Sequence, residues 1–296
     1  MKPLLGLLAG LPLLLASCSS GKQLVTGPDG PPKPADEAAL AKSATLYFSF
    51  DQGLMPDLAR GDPIPAVRVL DPKDPKHLSF KIGPPADGFA IRDQGVSGKC
   101  LEVTQDPGGW LGFPARDHLA YAKDGWGGAV SLWVNVDPDK LPKPWSAPIL
   151  ITDREPDDAA LWIGFGPGSP RELRHGAFPA LIDDKALSPD DPKAPVARLA
   201  NPGFKPGTWH HLVMSWDRFD TGKPDAVSTF YVDGKKVGAV KDRALAMSWE
   251  INLAKIYFAN YLDRLDELAV FERPLTADEV FTLHQKPGLL AGLKKK

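Results

Sequence analysis

Carboxylates, histidines and hydroxyls are the groups with which this chain could do chemistry, and their spacing argues against most of it. A pair of acids flanking a glycosidic bond can cleave it, one as acid and one as nucleophile or base. On one strand, acids at alternate positions share a face, so a pattern such as Glu-x-Asp-x-Glu, or its one-residue-longer variant, is what to seek, and neither occurs. Glu155-x-Asp157-Asp158 lacks the final Glu and lies in a Pro-containing, loop-like stretch, and Asp263-x-x-Asp266-Glu267 has the wrong spacing. Serine has no Gly-x-Ser-x-Gly elbow to present it as a nucleophile. The six His form no metalloprotease helix motif. His210 and His211 follow Trp209 directly, and strand alternation sends them to opposite faces, so they suit hydrogen bonds that fix a corner rather than joint metal ligation. The expectation is a protein that is not an enzyme, with polysaccharide cleavage as the minor alternative.

What must position such groups follows from composition. Lys+Arg 35 against Asp+Glu 37 gives a net charge of −2, which supplies no broad attraction to nucleic acid. A hydrophobic fraction of 43% supports a sizeable core, and Pro 31 with Gly 28 suits many short strands joined by turns.

The N-terminus reads as a targeting segment. Lys2 precedes an apolar run from Leu4 to Leu15, too short to span a bilayer, ending in Leu15-Ala16-Ser17-Cys18. That ending resembles the bacterial lipobox, in which the Cys thiol is acylated and the chain is cut just before it; an ordinary signal peptide with an incidental Cys is the other reading. Residues 1–17 are then a signal peptide, and 18–43 a lipidated Cys and Pro/Gly-rich disordered tether, with a helical turn from Ala38 to Ala41. The expected location is secreted and lipid-anchored to the cell membrane or outer membrane, the latter favoured by Ser19 where two membranes exist. Cys100 has no intrachain partner if Cys18 is acylated, and it reads as a small buried hydrophobe.

From Ala44 to Pro287 the pattern is that of one domain, with 288–296 as a tail. Val130, Leu132, Val134 and Val136 alternate, as do Leu212, Met214 and Trp216. Asp233-Gly234 between two strand-like runs marks a hairpin whose turn residues take positive φ. Leu78–Ile82, Ala254–Phe258 and Leu265–Phe271 are further strands, whereas Asp71–Pro75 and the Pro/Asp-rich stretch Gly166–Pro206 read as loops. Thr276 with Glu279 forms a capping box, with Leu275 and Val280 as a hydrophobic staple, before Pro287-Gly288 ends the helix. The fold class is all-β: a two-sheet antiparallel sandwich with one short C-terminal helix.

Six segments in order resemble the laminin-G-like, concanavalin-A-like jelly-roll family: Tyr47-Phe48-Ser49-Phe50-Asp51, Gly98-Lys99-Cys100-Leu101, Ala129–Val134, Gly207–Leu212, Phe230–Lys235 and Leu265–Thr276. Pro274 departs from the small residue usual before the final helix, and the stretches around 66–88 and 167–205 look like insertions. The resemblance implies a jelly-roll sandwich and a binding role. It also implies a structural Ca²⁺ held by Asp266, Asp51 and the Gly98 carbonyl. Asp266, an acid in an apolar strand on the face of Leu268 and Val270, needs a partner in any case; backbone N–H groups, Arg264 or Arg273 are the alternatives to metal. Trp110, Tyr121, Trp126, Trp145 and Trp162 can stack on sugar rings or fill the core. The expected partners are a glycan or a cell-envelope protein, the latter making the domain an interaction or scaffold module, together with the membrane through the anchor.

Overall fold

A computed structural model describes residues 32–70, 78–83, 87–105, 109–181, 187–260 and 263–293. Cys18 and the signal segment lie outside them, as does the expected loop Asp71–Pro75. The strands in chain order are β1 (Ala44–Phe48), β2 (Leu58–Ala59), β3 (Ala66–Leu70), β4 (Leu78–Ile82), β5 (Phe89–Arg92) and β6 (Cys100–Val103). Then come β7 (Gly109–Pro114), β8 (Trp126–Asn135), β9 (Ser146–Thr152), β10 (Ala160–Phe165), β11 (Leu173–Phe178) and β12 (Val196–Leu199). The last are β13 (Trp209–Phe219), β14 (Ala226–Val232), β15 (Lys235–Arg243), β16 (Lys255–Asn260) and β17 (Asp263–Phe271). The α-helices are α1 (Glu37–Lys42), α2 (Ala277–Gln285) and α3 (Leu289–Leu293).

The strands form two antiparallel sheets. The front sheet runs β15-β14-β13-β8-β17-β1-β2, with β6 also paired to β17 and β5 to β6; the back sheet runs β12-β11-β10-β9-β16-β7-β3-β4. The predicted alternation places Val130, Leu132, Val134, Leu212, Met214 and Trp216 between the sheets, where they meet Ile149, Ile151, Leu161, Ile163, Ile256 and Phe258 of the back sheet. Asp233 and Gly234 take φ 49° and 74°, joining β14 to β15 as the sequence requires. Thr276 and Glu279 form the capping box, and Leu275 and Val280 are buried together against the outer face of the front sheet.

Three expectations are revised. The compact unit begins at Lys33, not Ala44. Here α1 is capped by Asp36, Leu40 is fully buried, the Ala35 N–H donates to Thr282 Oγ1 (2.9 Å), and Glu37 pairs with Lys286. Nor is 288–296 wholly a tail, because α3 packs Leu290 into the same apolar cluster as Leu40. Finally, Gly166–Pro206 contains β11 and β12. Polar residues disguise β11: the Arg174 guanidinium is held by Glu172 and Asp190, and His175 is buried between the Trp162 carbonyl (2.9 Å) and Ser228 Oγ (2.7 Å).

Burial holds His175 neutral, with its pKa lowered to about 4. A depressed native pKa means that the unfolded chain takes up the proton first, so this contribution is fully present above pH ~6.5 and is lost as the pH falls towards 4. The expected outcome is that His175→Gln loses less stability than wild type on acidification, the two denaturation curves converging by about 1.4 kcal/mol per pH unit below 6.5. Every other titrating group is common to both proteins and cancels. Parallel pH dependences from chemical denaturation would contradict this account of His175.

Candidate functional site

Two places gather the residues capable of chemistry. The first is midway along β17. From Asp263 to Leu265 the strand pairs with β6, and from Leu268 onward with β1, while its register with β8 shifts between Asp266 and Ala269. Glu267 takes φ 50°, the bulged conformation that lets one strand change partners. The bulge breaks the alternation expected for Asp266: Leu265, Leu268 and Val270 all reach the inter-sheet core. The Asp266 carboxylate, fully buried, instead accepts the N–H groups of Val96 (2.8 Å), Ser97 (3.3 Å) and Glu267 (2.8 Å). Asp51 accepts the Lys99 N–H at 2.7 Å from the other end of the same turn, which is closed by Gly95 N–H to the Gly98 carbonyl (3.0 Å). Gly98 has φ 71°, and a Cβ there would fall 2.3 Å from Asp51 Oδ1, so no larger residue fits.

Asp51, Gly98 and Asp266 are thus brought to one turn, and the backbone alternative for Asp266 is realised. Burial, with Glu267 beside it, still pushes the Asp266 carboxyl up to about 8. Glu267 is raised to about 7, chiefly by burial. Its Oε2 accepts the Tyr47 hydroxyl at 2.8 Å, and the residue lines a cavity of about 10 Å³ with Ser131, Lys286 and Gly288. The cavity is room for about one water.

The second place is the outer face of the back sheet. One register row there runs Gly112, Tyr257, Leu150, Trp162, Gly176. Trp162 lies over Gly176, where a Cβ would meet the indole at 2.3 Å, and its Nε1–H donates to the Pro156 carbonyl at 2.9 Å. Trp145 meets Trp162 edge-on, and Trp110 meets Tyr257 in the same way (centroids 6.0 and 5.3 Å). The Arg68 guanidinium, 1% exposed, sits 4.9 Å from the Trp110 ring and pairs with Glu155 at 2.6 Å. Lys255 lies 5.0 Å from the Phe80 ring.

Of the five aromatic candidates, Trp110, Trp145 and Trp162 share this face. Trp110 and Trp145 are half-buried, but Trp162 is fully buried and cannot stack on a ligand. Trp126 is likewise core: it packs with Tyr121, Trp216, Phe219 and Trp249 at one end of the sandwich, and its Nε1–H is held by Asp220. Half-buried Tyr121 belongs to that cluster too. The sequence reading missed Arg68, although Val67-Arg68-Val69 set a cation inside an apolar strand run, and it missed Tyr257.

A serine–histidine contact does exist, Ser131 Oγ to His211 Nε2 at 2.8 Å, but both residues are buried. Burial, reinforced by His284, lowers the His211 pKa to about 3, far from that of a general base working near neutrality. The nearby Asp233 carboxylate engages the neighbouring ring, His210 Nδ1 at 2.9 Å, rather than the His211 ring. The histidines therefore occupy opposite faces and fix their corner, as the sequence suggests. Among the described residues no group of three or more His, Cys, Asp or Glu is arranged to hold a metal.

Two antiparallel sheets closed as a jelly roll, with one aromatic outer face, define a concanavalin A-like sandwich. The chain belongs to the Laminin_G_3 family of the concanavalin A-like lectin/glucanases superfamily, whose model matches residues 124–281, more than half of its length. No curated protein matches the sequence. Solved structures with this fold include the receptor binding domain of botulinum neurotoxin mosaic serotype C/D (8% identity, TM-score 0.51, covering 83% of this chain and 51% of that one). Another is the serotype D ligand binding domain in complex with N-acetylneuraminic acid (10% identity, TM-score 0.50, 84% and 52%). A third is domain 4 of AbnA, a GH43 extracellular arabinanase from Geobacillus stearothermophilus, in complex with arabinotriose (18% identity, TM-score 0.49, 82% and 100%). The chain spans about half the length of the neurotoxin domains. At these identities the likeness is one of fold.

Proposed function

We propose that this protein is a non-catalytic glycan-binding module held at a membrane by a lipid on Cys18, with a structural Ca²⁺ at the β17 switch. The observation that carries the binding reading is the back-sheet face, where the half-buried Trp110 ring lies beside Arg68, itself paired with Glu155, and the half-buried Trp145 ring meets Trp162 edge-on. Aromatic rings offer apolar area for the C–H face of a sugar, and fixed polar groups orient it. The serotype D neurotoxin ligand binding domain, about half of which resembles this chain, was solved in complex with N-acetylneuraminic acid, which supports the glycan reading. A second reading, contact with a cell-envelope protein, is favoured by Ile82, which is 74% exposed on the edge strand β4. A glycan array with the full-length protein separates the two. Trp110→Ala and Trp145→Ala are expected to lose binding while remaining folded at the assay temperature, with a lowered melting temperature because each ring also packs on Tyr257 or Trp162. Capture of protein partners with no glycan signal would favour the second reading.

The lipobox resemblance supports the anchor. Cys18→Ala should move the protein from the membrane to the soluble fraction; a membrane-bound, normally processed variant would refute acylation.

For Ca²⁺, the fit rests on a fully buried carboxylate with no cationic partner among the described residues. Asp51, Asp266 and the Gly98 carbonyl would supply three oxygens, and Ca²⁺ takes six to eight, with waters completing the set. The ion would supply positive charge to the turn. Mass action then predicts a higher melting temperature with Ca²⁺ than with chelator. In Asp266→Asn the response disappears, and the protein is less stable even in chelator, by about 1–3 kcal/mol, because an amide cannot accept all three N–H bonds. An unchanged wild-type midpoint, with no metal in the purified protein, removes the site.

A further inference from the structure

We infer that Glu155 sets the specificity of the back-sheet face and selects neutral saccharides bearing adjacent hydroxyls over acidic ones. The inference rests on the glycan reading of that face and deepens it. Glu155 fails the spacing of a catalytic pair, yet the fold ties it to Trp110 through Arg68. Its Oε1 accepts from Arg68 at 2.6 Å, while its side chain remains 48% exposed. Arg68 is 99% buried by the same measure, and its other fork nitrogen donates to the Arg154 carbonyl at 3.1 Å. The guanidinium Nε has no hydrogen-bond partner among the described residues. Arg68 thus touches both Trp110 and Glu155, placing an aromatic ring and an exposed carboxylate within one sugar's reach of each other.

The segment that carries Glu155 is pinned at almost every residue. Thr152 Oγ1 donates to the Glu155 and Asp158 carbonyls and accepts the Arg154 N–H. Asp153 accepts the Glu250 N–H, Asp158 accepts the Leu181 N–H, and the Pro156 carbonyl takes the Trp162 indole N–H. A carboxylate fixed in this way loses little side-chain entropy on binding. An ionised carboxylate accepts only, and its two oxygens suit two neighbouring hydroxyls. The arriving ring would rest against Trp110, with Arg68 buried behind as the brace that holds Glu155 in place. A uronate or sialate carboxylate would instead meet Glu155 and, two residues on, Asp157, and like charges brought together cost affinity; Asp158 is turned inward to the Leu181 N–H and Arg154 lies 3.7 Å from it.

The test uses the full-length protein and length-matched oligogalactosides and oligogalacturonides. Wild type is expected to prefer the neutral series. Glu155→Gln should weaken neutral binding about tenfold or more, the loss of a charge-assisted hydrogen bond, and narrow the preference. Because that variant deprives Arg68 of its partner, Asp157→Asn serves as a second probe: it leaves Arg68 untouched and should improve oligogalacturonide binding. Tighter binding of the acidic series by wild type overturns the inference. So does unaltered affinity in Glu155→Gln where Trp110→Ala abolishes binding, and the glycan reading survives either result. Failure of wild type to bind any glycan overturns both.

Discussion

The constraint on which the molecule depends is the change of partner along β17. This strand is the hinge of the front sheet, paired to β8 on one edge and to β6 and then β1 on the other. A gap must open where one partner ends and the next begins, and backbone N–H groups in that gap would be left without acceptors. Asp266 fills the gap: it accepts from Val96 and Ser97, and Asp51 secures Lys99 at the far side of the same turn. The cost is a carboxylate with no exposed surface, which burial drives towards neutrality. Carboxylates accept several N–H bonds where a neutral side chain accepts fewer, so an acid in an apolar strand is the simplest means of stitching three segments together.

The stitch extends to the chain's end. A Cβ on Gly288 would approach Ser97 Oγ to 2.3 Å, so the turn held by Asp266 abuts the start of α3. Glu267, thrown to the other side by the bulge, reaches Tyr47 and the cavity beneath the same cap. Three helices therefore cover the outer face of the front sheet, with Leu40, Val280, Leu283 and Leu290 against Tyr47, Val213 and Phe271. The back sheet is treated differently: its outer face is covered by its own aromatics, several packed edge to face, and by the pinned 153–158 segment.

How much was legible in the sequence follows from these differences. Strands with one apolar face could be read directly, as Val130–Val136 was, because their partners ask only for alternation. The Asp233-Gly234 turn and the Thr276–Glu279 cap were legible because local chemistry alone defines them. The strand β11 was hidden, since Arg174 and His175 are paid for by partners, Glu172 and Asp190, and Trp162 and Ser228, that alternation does not show. Proximity to Gly or Pro said nothing about whether a Trp is exposed: Trp126 and Trp162 are buried because Asp220 and the Pro156 carbonyl satisfy their indole N–H groups. The meeting of Asp51, Gly98 and Asp266 came from the family resemblance, and the bulge that allows it could not be read from alternation, which it violates.

Recognition and turnover ask opposite things of polar groups. Proton transfer needs a group that changes charge near neutral pH and touches solvent or substrate. The histidines that touch hydroxyls here, His175 and His211, are sealed in and neutral, and their partners Ser228 and Ser131 are sealed with them. Those contacts knit β11 to β14 and β13 to β8 and leave nothing for a substrate to reach. Recognition needs the reverse, a group already in its final charge state and position before the ligand arrives. Glu155 has that character: its backbone is fixed by Thr152, one oxygen is fixed by a buried guanidinium, and the rest of its carboxylate faces outward beside an aromatic ring. The same burial that disqualifies Arg68 as a direct binder of solvent-borne anions makes it an effective brace for the acid in front of it. The proposed binding role asks for such a fixed pattern of acceptors and apolar surface.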